Sequence, residues 1–188
     1  MKYTATILLL GVFLMTSLFS NAQEDVKLTE KQQRNAEKEK SKKEKEEKED
    51  AQWLVFQKLA EEQTYVVQFD KIGVHLVSRR LNFLYTNGED VVIQIETSTY
   101  ASENGLGGKT ISGTISNYKY SPPKKKNKPI FINFDITSKF NQKNYNISIS
   151  VYSGGTALIS FGGGVSQING TFLPIEDASI NMGVDMRN

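Results

Sequence analysis

The run Gly105-Leu106-Gly107-Gly108-Lys109-Thr110 is the part of the sequence closest to a phosphate-binding loop. A P-loop ends in Gly-Lys-Thr, but it also needs a glycine five residues before the second one, and a helix after it. Glu103 stands at the first of these positions, and the alternating pattern of residues 111–116 predicts a strand after the run. We therefore interpret the glycines as structural, because glycine permits a positive φ or a close backbone approach.

His75 is the only histidine, and the chain has no cysteine. A catalytic serine needs a histidine that a third group orients, and the G-x-S-x-G turn of α/β-hydrolases is absent from the sequence. A transition-metal site would take nearly all of its ligands from carboxylates. We expect His75 to be a surface or strand residue without chemistry, and we predict no catalytic residue, no metal ligand and no cofactor.

A pair of carboxylates is the remaining catalytic arrangement that the residue types allow. Asp135 and Glu96 fall on the polar faces of predicted strands, and Glu176-Asp177 follows the last strand. A glycosidase needs two carboxylates about 5–10 Å apart across a cleft. The sequence does not indicate such a pair, so a hydrolase is only the third hypothesis.

Lys124, Lys125, Lys126 and Lys128 form a basic turn after a Pro-Pro pair. A turn of this kind suits anionic lipid headgroups or acidic glycans. It is equally a solvated turn that discourages edge-to-edge pairing of sheets. Exposed charge clusters in turns are usually solvated, so we favour the second interpretation.

The elements that would position these residues are β-strands. From residue 64 onward apolar side chains alternate with polar ones, which is the period of a strand, and Asn87-Gly88 and Gly154-Gly155 are turn signals. The apolar positions are Tyr65, Val67, Phe69, Leu81, Phe83, Tyr85, Val91, Ile93, Ile95, Ile111, Ile115, Tyr118, Tyr120, Ile130, Ile132, Phe134, Ile136, Tyr145, Ile147, Ile149, Val151, Ala157, Ile159 and Phe161. A phase shift between residues 115 and 118 indicates a β-bulge. Seven or eight strands without intervening helices predict a mainly β fold, an antiparallel meander that closes into a barrel or a sandwich.

A charged segment precedes the strands. Residues 30–50 carry equal numbers of basic and acidic side chains and no large apolar one. Their composition favours a helix, but without an apolar stripe nothing docks that helix on a core, so the segment is either a solvated helix or disordered. Trp53, Phe56, Leu59 and Ala60 then recur at helical spacing, and we expect only this end to pack on the β domain.

The N-terminus has the three parts of a secretory signal peptide. Lys2 supplies positive charge, residues 5–18 are apolar, and Ser20-Asn21-Ala22 places small residues at a cleavage site. The apolar run of about 15 residues is shorter than the roughly 20 that span a bilayer. We expect cleavage after Ala22, no membrane span in the mature chain, and a periplasmic or extracellular location.

The composition narrows the class of partner. The chain has 188 residues and a formal net charge of +2, which is not the basic excess of a nucleic-acid-binding protein. The part from residue 51 onward is long enough to bury about two-thirds of its unfolded surface. Because cysteine is absent, packing alone must stabilise this part.

Three blocks resemble a family of exported Bacteroidetes proteins named domain of unknown function 4251. They are residues 81–96, residues 104–118 with their Asn-Gly-x-Gly-Gly-x-Thr and Gly-Thr-x-Ser-Asn-Tyr motifs, and residues 170–174. The resemblance covers about residues 55–178 and implies a β-rich fold and a periplasmic address, but no catalytic residue. The motif positions, which we interpret as structural with binding as the alternative, are Asn104, Gly105, Gly107, Gly108, Thr110, Gly113, Asn117 and Tyr118.

These features predict a signal peptide (1–22), a charged helix (23–62), an antiparallel β domain (63–178) and a C-terminal tail (179–188). Our leading hypothesis is a non-enzymatic exported protein whose β domain binds an unknown small ligand or an envelope protein, because a barrel offers a concave surface. The alternative is an envelope scaffold with the charged helix as a spacer. An apolar cavity in the barrel favours a small ligand, and a filled interior with an exposed aromatic patch favours a protein partner.

Overall fold

The computed structural model describes residues 3–96, 108–125, 128–140, 142–162 and 165–183. Within these ranges the chain forms one long helix, α1 (Tyr3–Glu62), followed by nine strands. The strands are β1 (Thr64–Ile72), β2 (His75–Leu76), β3 (Phe83–Asn87), β4 (Asp90–Glu96), β5 (Gly108–Ser121), β6 (Ile130–Ser138), β7 (Asn144–Val151), β8 (Thr156–Phe161) and β9 (Val165–Leu173). A 3-10 turn, Ile175–Asp177, follows Pro174.

Eight of the strands close into an antiparallel barrel. β1 and β3 to β9 each pair with the next strand in that order, and β9 pairs back with β1, for example Val67 opposite Phe172. The prediction of a mainly β fold is confirmed. The fold is a barrel and not a sandwich, because the pairing of β9 with β1 leaves neither strand as an open edge. β2 is an additional two-residue strand paired with the end of β1, and its length is too short for the alternating pattern to reveal it.

The charged segment is helical. Residues 31–49 of α1 are exposed, as expected for a helix without an apolar stripe. Lys42 and Glu46 approach to 3.9 Å one turn apart, with both side chains largely exposed, so their pairing contributes at most a few tenths of a kcal/mol. Residues 1–48 form one compact unit and residues 49–188 a second one. In the part of the chain that the structure describes, no helix is both long enough and apolar enough to cross a membrane.

The barrel interior follows the alternating pattern in most strands. In β6, Ile130, Ile132, Phe134 and Ile136 are buried, whereas Phe131 and its polar neighbours face outward. Their partners in β7 alternate in the same register, with Ile149 opposite Ile132. The predicted bulge is confirmed in β5, where the pairing with β6 shifts between Ser116 and Lys119.

Strand β3 is where the predicted face is wrong. Leu81, Phe83 and Tyr85 were expected to form the core side of this strand, but Leu84 and Thr86 face the interior, opposite Val67 and Tyr65 of β1. The Thr86 side chain is tolerated inside because its hydroxyl donates to the Tyr65 carbonyl at 3.2 Å and accepts from the Tyr65 N–H at 3.3 Å. Phe83 is buried on the outer face, beneath chain that follows β9.

The hairpin between β3 and β4 is confirmed with a small shift. Asn87 pairs with Asp90, so the two central residues of the turn are Gly88 and Glu89 rather than Asn87 and Gly88. Gly88 has a φ of 63°, the left-handed conformation that favours glycine. The turn at Gly154-Gly155 is as predicted, and β9 ends directly before Pro174.

Candidate functional site

The two ends of the barrel differ. We call the end of the barrel where β1 begins, directly after α1, the helix end. At this end β3 connects to β4, β5 to β6, and β7 to β8. At the far end, β4 connects to β5, β6 to β7, and β8 to β9. The last turns of α1 cover the helix end, where Trp53, Phe56 and Ala60 are buried in the same cluster as the barrel core. This confirms the prediction that the end of the charged helix packs on the β domain.

Aromatic contacts hold α1 on the helix end. The Phe56 ring meets Phe172 of β9 edge-on at 5.4 Å between centroids, and Phe172 in turn stacks on Tyr65 at 4.7 Å. Trp53 packs edge-on against Phe56 at 6.5 Å. Such pairs stabilise beyond the area they bury, so residues 49–62 belong to the barrel structurally.

Tyr118 links the bulged strand β5 to α1 through a hydrogen bond. Its hydroxyl donates to the Ala60 carbonyl near the end of α1, and its ring stacks on Phe134 at 5.7 Å. Burial raises the pKa of Tyr118 far above its usual value, and burial together with the neighbouring Tyr118 does the same to the pKa of Tyr65. Both tyrosines are therefore neutral and structural across the physiological range.

The far end presents apolar side chains that are only partly covered. Six half-buried residues pack on the core there: Ile72, Val77, Ile95, Ile111, Tyr145 and Phe161. At the same end, the β1–β2 hairpin and the β6–β7 connection, which are four strands apart around the barrel, carry Val74, Leu76 and Phe140, which are 82%, 81% and 49% exposed. We call these nine residues the far-end patch. Exposed apolar side chains grouped in this way mark contact surfaces more often than isolated ones do.

The barrel interior itself is filled. Ile132, Phe134 and Ile136 of β6, with Ile147 and Ile149 of the adjacent strand β7, are each at most 1% exposed and belong to the same buried cluster inside the barrel. A residue that lined a water-sized cavity would retain accessible surface. The structure therefore provides packed side chains where the leading hypothesis placed a small ligand.

The family-motif residues divide into three roles. Gly108 and Gly113 lie where neighbouring backbone leaves no room for a side chain, since a Cβ on Gly113 would meet the Thr137 carbonyl oxygen at 2.7 Å. The Thr110 hydroxyl donates to Gln94 at 3.3 Å. Asn117 and Tyr118 form the bulge. Asn104, Gly105 and Gly107 lie outside the described residues.

Asn117 orients a surface carboxylate. It has a φ of 54° within the bulge, and its amide donates to one oxygen of Asp135 at 2.8 Å while Asn146 donates to the other at 2.8 Å. These two hydrogen bonds, that from Asn117 first, lower the pKa of Asp135. The sequence placed Asp135 on a polar face correctly, but the long-range pairing of β5, β6 and β7 was needed to show its partners.

We expect Asn117→Gly to raise the pKa of Asp135 towards the usual value for aspartate. Glycine keeps the left-handed backbone and removes the first of the two donors to the ionised form. In the wild type the favourable interaction is present above the unfolded pKa and is lost as the pH falls through the folded pKa. Titration of the Asp135 carboxyl by NMR measures the shift, with Thr137→Ala as a control. An unchanged pKa in Asn117→Gly would contradict this assignment.

The other sequence candidates remain apart. His75 is exposed on β2, and no group of three His, Cys, Asp or Glu residues suited to a metal occurs in the described ranges. Glu96, at the end of β4, accepts from the Asn82 amide at 3.5 Å, whereas Asp135 faces outward on β6. Of the lysine turn, Lys124, Lys125 and Lys128 are described, with a hydrogen bond from the Lys128 N–H to the Lys125 carbonyl; Lys126 lies outside the described residues.

The sequence reasoning missed the glutamines of β1 and β4. Gln68 and Gln94 sit at polar positions of alternating strands, which normally face solvent, yet they are 7% and 1% exposed. Val66 of β1 is also fully buried. Both glutamines donate hydrogen bonds to main-chain carbonyls of residues after β9, and no local pattern in the sequence signals this contact.

Comparison with known proteins identifies similarity to solved structures. No protein-family model and no curated protein matches the sequence. A crystal structure of a DUF4251 family protein from Bacteroides eggerthii is similar, with a TM-score of 0.49 and 22% sequence identity, over 66% of this chain and 91% of that chain. That family is the one whose motifs the sequence resembles, so the chain is similar to DUF4251 proteins in its motifs and to a Bacteroides member of that family in its structure.

Proposed function

We propose that this chain is an exported, non-enzymatic binding protein whose far-end patch docks on an apolar surface of another envelope protein. The observation that carries the proposal is the contrast between a filled interior and an apolar end. The signal-peptide pattern of residues 1–22 supports the location, and the closed antiparallel barrel supplies a rigid frame for the patch.

The filled interior favours a protein partner over a small ligand. Small-molecule sites are concave and enclose most of their ligand. Here the core positions that such a ligand would occupy are taken by aliphatic and aromatic side chains at most 1% exposed, such as Phe134 and Ile147. Binding must therefore take place on the surface.

The far-end patch contains the two most exposed large apolar residues among those that the structure describes, Val74 and Leu76. Val74 and Leu76 lie on a hairpin that projects from the end of β1, and each exposes about four-fifths of its side chain. Covering an aliphatic side chain of this size stabilises a complex by about 1.5–3 kcal/mol before the costs of association. Two or three such side chains supply the apolar centre of an interface.

A scaffold role for the charged helix is the second candidate, and one observation favours it. Residues 31–49 form a continuous exposed helix although they bury no apolar stripe. A helix of this kind serves as a semi-rigid spacer, at about 1.5 Å per residue. The spacer and the binding surface are compatible, because they lie in different compact units of the chain.

A matched pair of leucine substitutions tests the proposed docking surface. The tagged full-length protein is purified under native conditions from the cells that make it, as wild type, as Leu76→Asp and as Leu54→Asp. Leu54 lies on α1 and is 66% exposed. We expect Leu76→Asp to reduce the co-purifying partner at least tenfold, because a charge would be buried in the interface, and Leu54→Asp to leave it unchanged.

Two results would overturn this function. One is equal recovery of the same partner with all three proteins. The other is wild-type protein that carries a stoichiometric small molecule and no second polypeptide.

A further inference from the structure

The segment after β9 crosses the outside of the barrel on a row of three buried residues. Gln68 of β1 pairs with Phe83 of β3, and Phe83 pairs with Gln94 of β4, so the three side chains form one line across three strands. All three are at most 7% exposed although they point away from the core. We call this line the outer row, and residues 178–183 the tail.

Hydrogen bonds hold the tail on the outer row through its main chain. The Gln68 amide donates to the Ser179 carbonyl at 2.8 Å, and the Gln94 amide donates to the Asn181 carbonyl at 3.0 Å. The Gly183 N–H donates to the Gln94 side-chain oxygen at 2.7 Å. The Asn181 N–H donates to the Arg80 carbonyl, in the loop between β2 and β3, at 2.8 Å.

Every hydrogen-bonding group of the Gln94 side chain has a partner in this arrangement. Its amide also donates to the Leu81 carbonyl at 3.0 Å, and its oxygen also accepts from the Thr110 hydroxyl. All the hydrogen-bonding capacity of a glutamine amide is thus used. A buried amide that loses such partners costs about 1–3 kcal/mol, so the outer row is built to hold an extended chain.

The tail contributes little through its side chains. Ser179, Asn181 and Met182 are exposed, whereas Ala178, Ile180 and Gly183 are half-buried. Every hydrogen bond described above for residues 179–183 uses a main-chain group of the tail. The outer row therefore recognises an extended backbone with partly covered side chains at the positions of Ala178 and Ile180, and it places no demand on the three exposed side chains.

We propose that the outer row is a binding site for an extended peptide segment of another protein, which the tail occupies in cis. The partner segment has a small residue at the position of Ala178, an aliphatic residue at that of Ile180, and free N–H groups at the positions of Asn181 and Gly183. The side chains at the positions of Ser179, Asn181 and Met182 are not restricted. The tail competes with it at an effective concentration on the order of millimolar. The tail thereby lowers the affinity for partners until it is displaced.

The test uses the full chain with a weakened tail and a labelled synthetic peptide of residues 174–183. Asn181→Pro with Gly183→Pro removes both donated N–H groups and keeps the preceding residues extended. We expect this variant to bind the peptide at least tenfold more tightly than the wild type does. The control, Ser179→Ala with Met182→Ala, changes exposed side chains only, and it should bind as the wild type does.

Variant peptides test recognition of the backbone. A peptide with alanine at the positions of Ser179, Asn181 and Met182 should bind the weakened chain within about threefold of the native peptide. Proline at the positions of Asn181 and Gly183 should weaken binding at least tenfold. If the alanine peptide does not bind, recognition depends on side chains and the proposal is overturned.

A second measurement avoids any change to the protein. With wild-type chain and millimolar peptide, the NMR signals of the Asn181 and Gly183 amides should move towards those of a free tail while the barrel signals stay. Signals that do not move at saturating peptide would overturn the proposal, as would equal affinities of the wild type and the double-proline variant. Neither result bears on the far-end patch, because the two surfaces share no residue.

Discussion

Phe56→Ala is expected to lower the free energy of unfolding of the mature chain by about 3–5 kcal/mol, the range for a fully buried phenylalanine. Phe56 is 1% exposed at the helix end of the barrel. Its ring contacts Trp53 and Phe172, and it lies 3.2 Å from where a Cβ on Gly155 would stand. Its removal would leave a cavity between the helix and the barrel that the rigid turn at Gly155 would not close. Urea denaturation followed by circular dichroism measures the change.

Leu54→Ala is the matched control for this experiment. Leu54 lies two residues earlier on the same helix and is 66% exposed, so its truncation should change stability by no more than about 0.5 kcal/mol. Equal, small effects of the two substitutions would show that residues 49–62 do not pack on the barrel. The structural basis for assigning them to it would then be lost.

Gly113→Ala is expected to destabilise the barrel by about 1–3 kcal/mol, the usual cost of overpacking. A Cβ at this position would stand 2.5 Å from Cγ2 of Ile136 and 2.7 Å from the Thr137 carbonyl oxygen. The carbonyl belongs to the paired strand and cannot turn away as a side chain would. The family-motif position is thus explained by the close approach of β5 and β6.

Gly154→Ala provides the comparison for Gly113. Nothing lies within 4 Å of a Cβ at Gly154, so this alanine has room in the β7–β8 turn and should alter stability by less than about 0.5 kcal/mol. Thermal or urea unfolding of both variants decides the matter. A Gly113→Ala protein as stable as the wild type would mean that the two strands are further apart than described.

The alternating pattern predicted the buried face of a strand correctly where the outer face of that strand meets solvent. In β6 and β7 the buried residues are those that the alternation indicates, because one face meets the core and the other meets solvent. The prediction is wrong in β3, where Phe83 faces outward and Thr86 inward. Burial there depends on the tail, which is about 100 residues away along the chain, and no local period encodes a contact at that separation.

The candidate surfaces were less predictable than the fold. The sequence indicated that Asn117 and Tyr118 mark a bulge, but their partners Asp135 and Ala60 depend on strand order and on where the helix ends. The far-end patch includes Ile95 and Ile111, which the pattern assigned to the core. They are only half-buried because they stand at the end of their strands, and the sequence gives no measure of depth along the barrel axis.

Native mass spectrometry of the protein purified from the cells that make it tests the central claim, that a filled barrel binds a protein and not a small molecule. We predict a chain that begins at Gln23, retains no small molecule at stoichiometric amounts, and is accompanied by a second polypeptide that Leu76→Asp removes. A stoichiometric small molecule that survives transfer to the gas phase would contradict the account, because the side chains of β6 and β7 leave it no space.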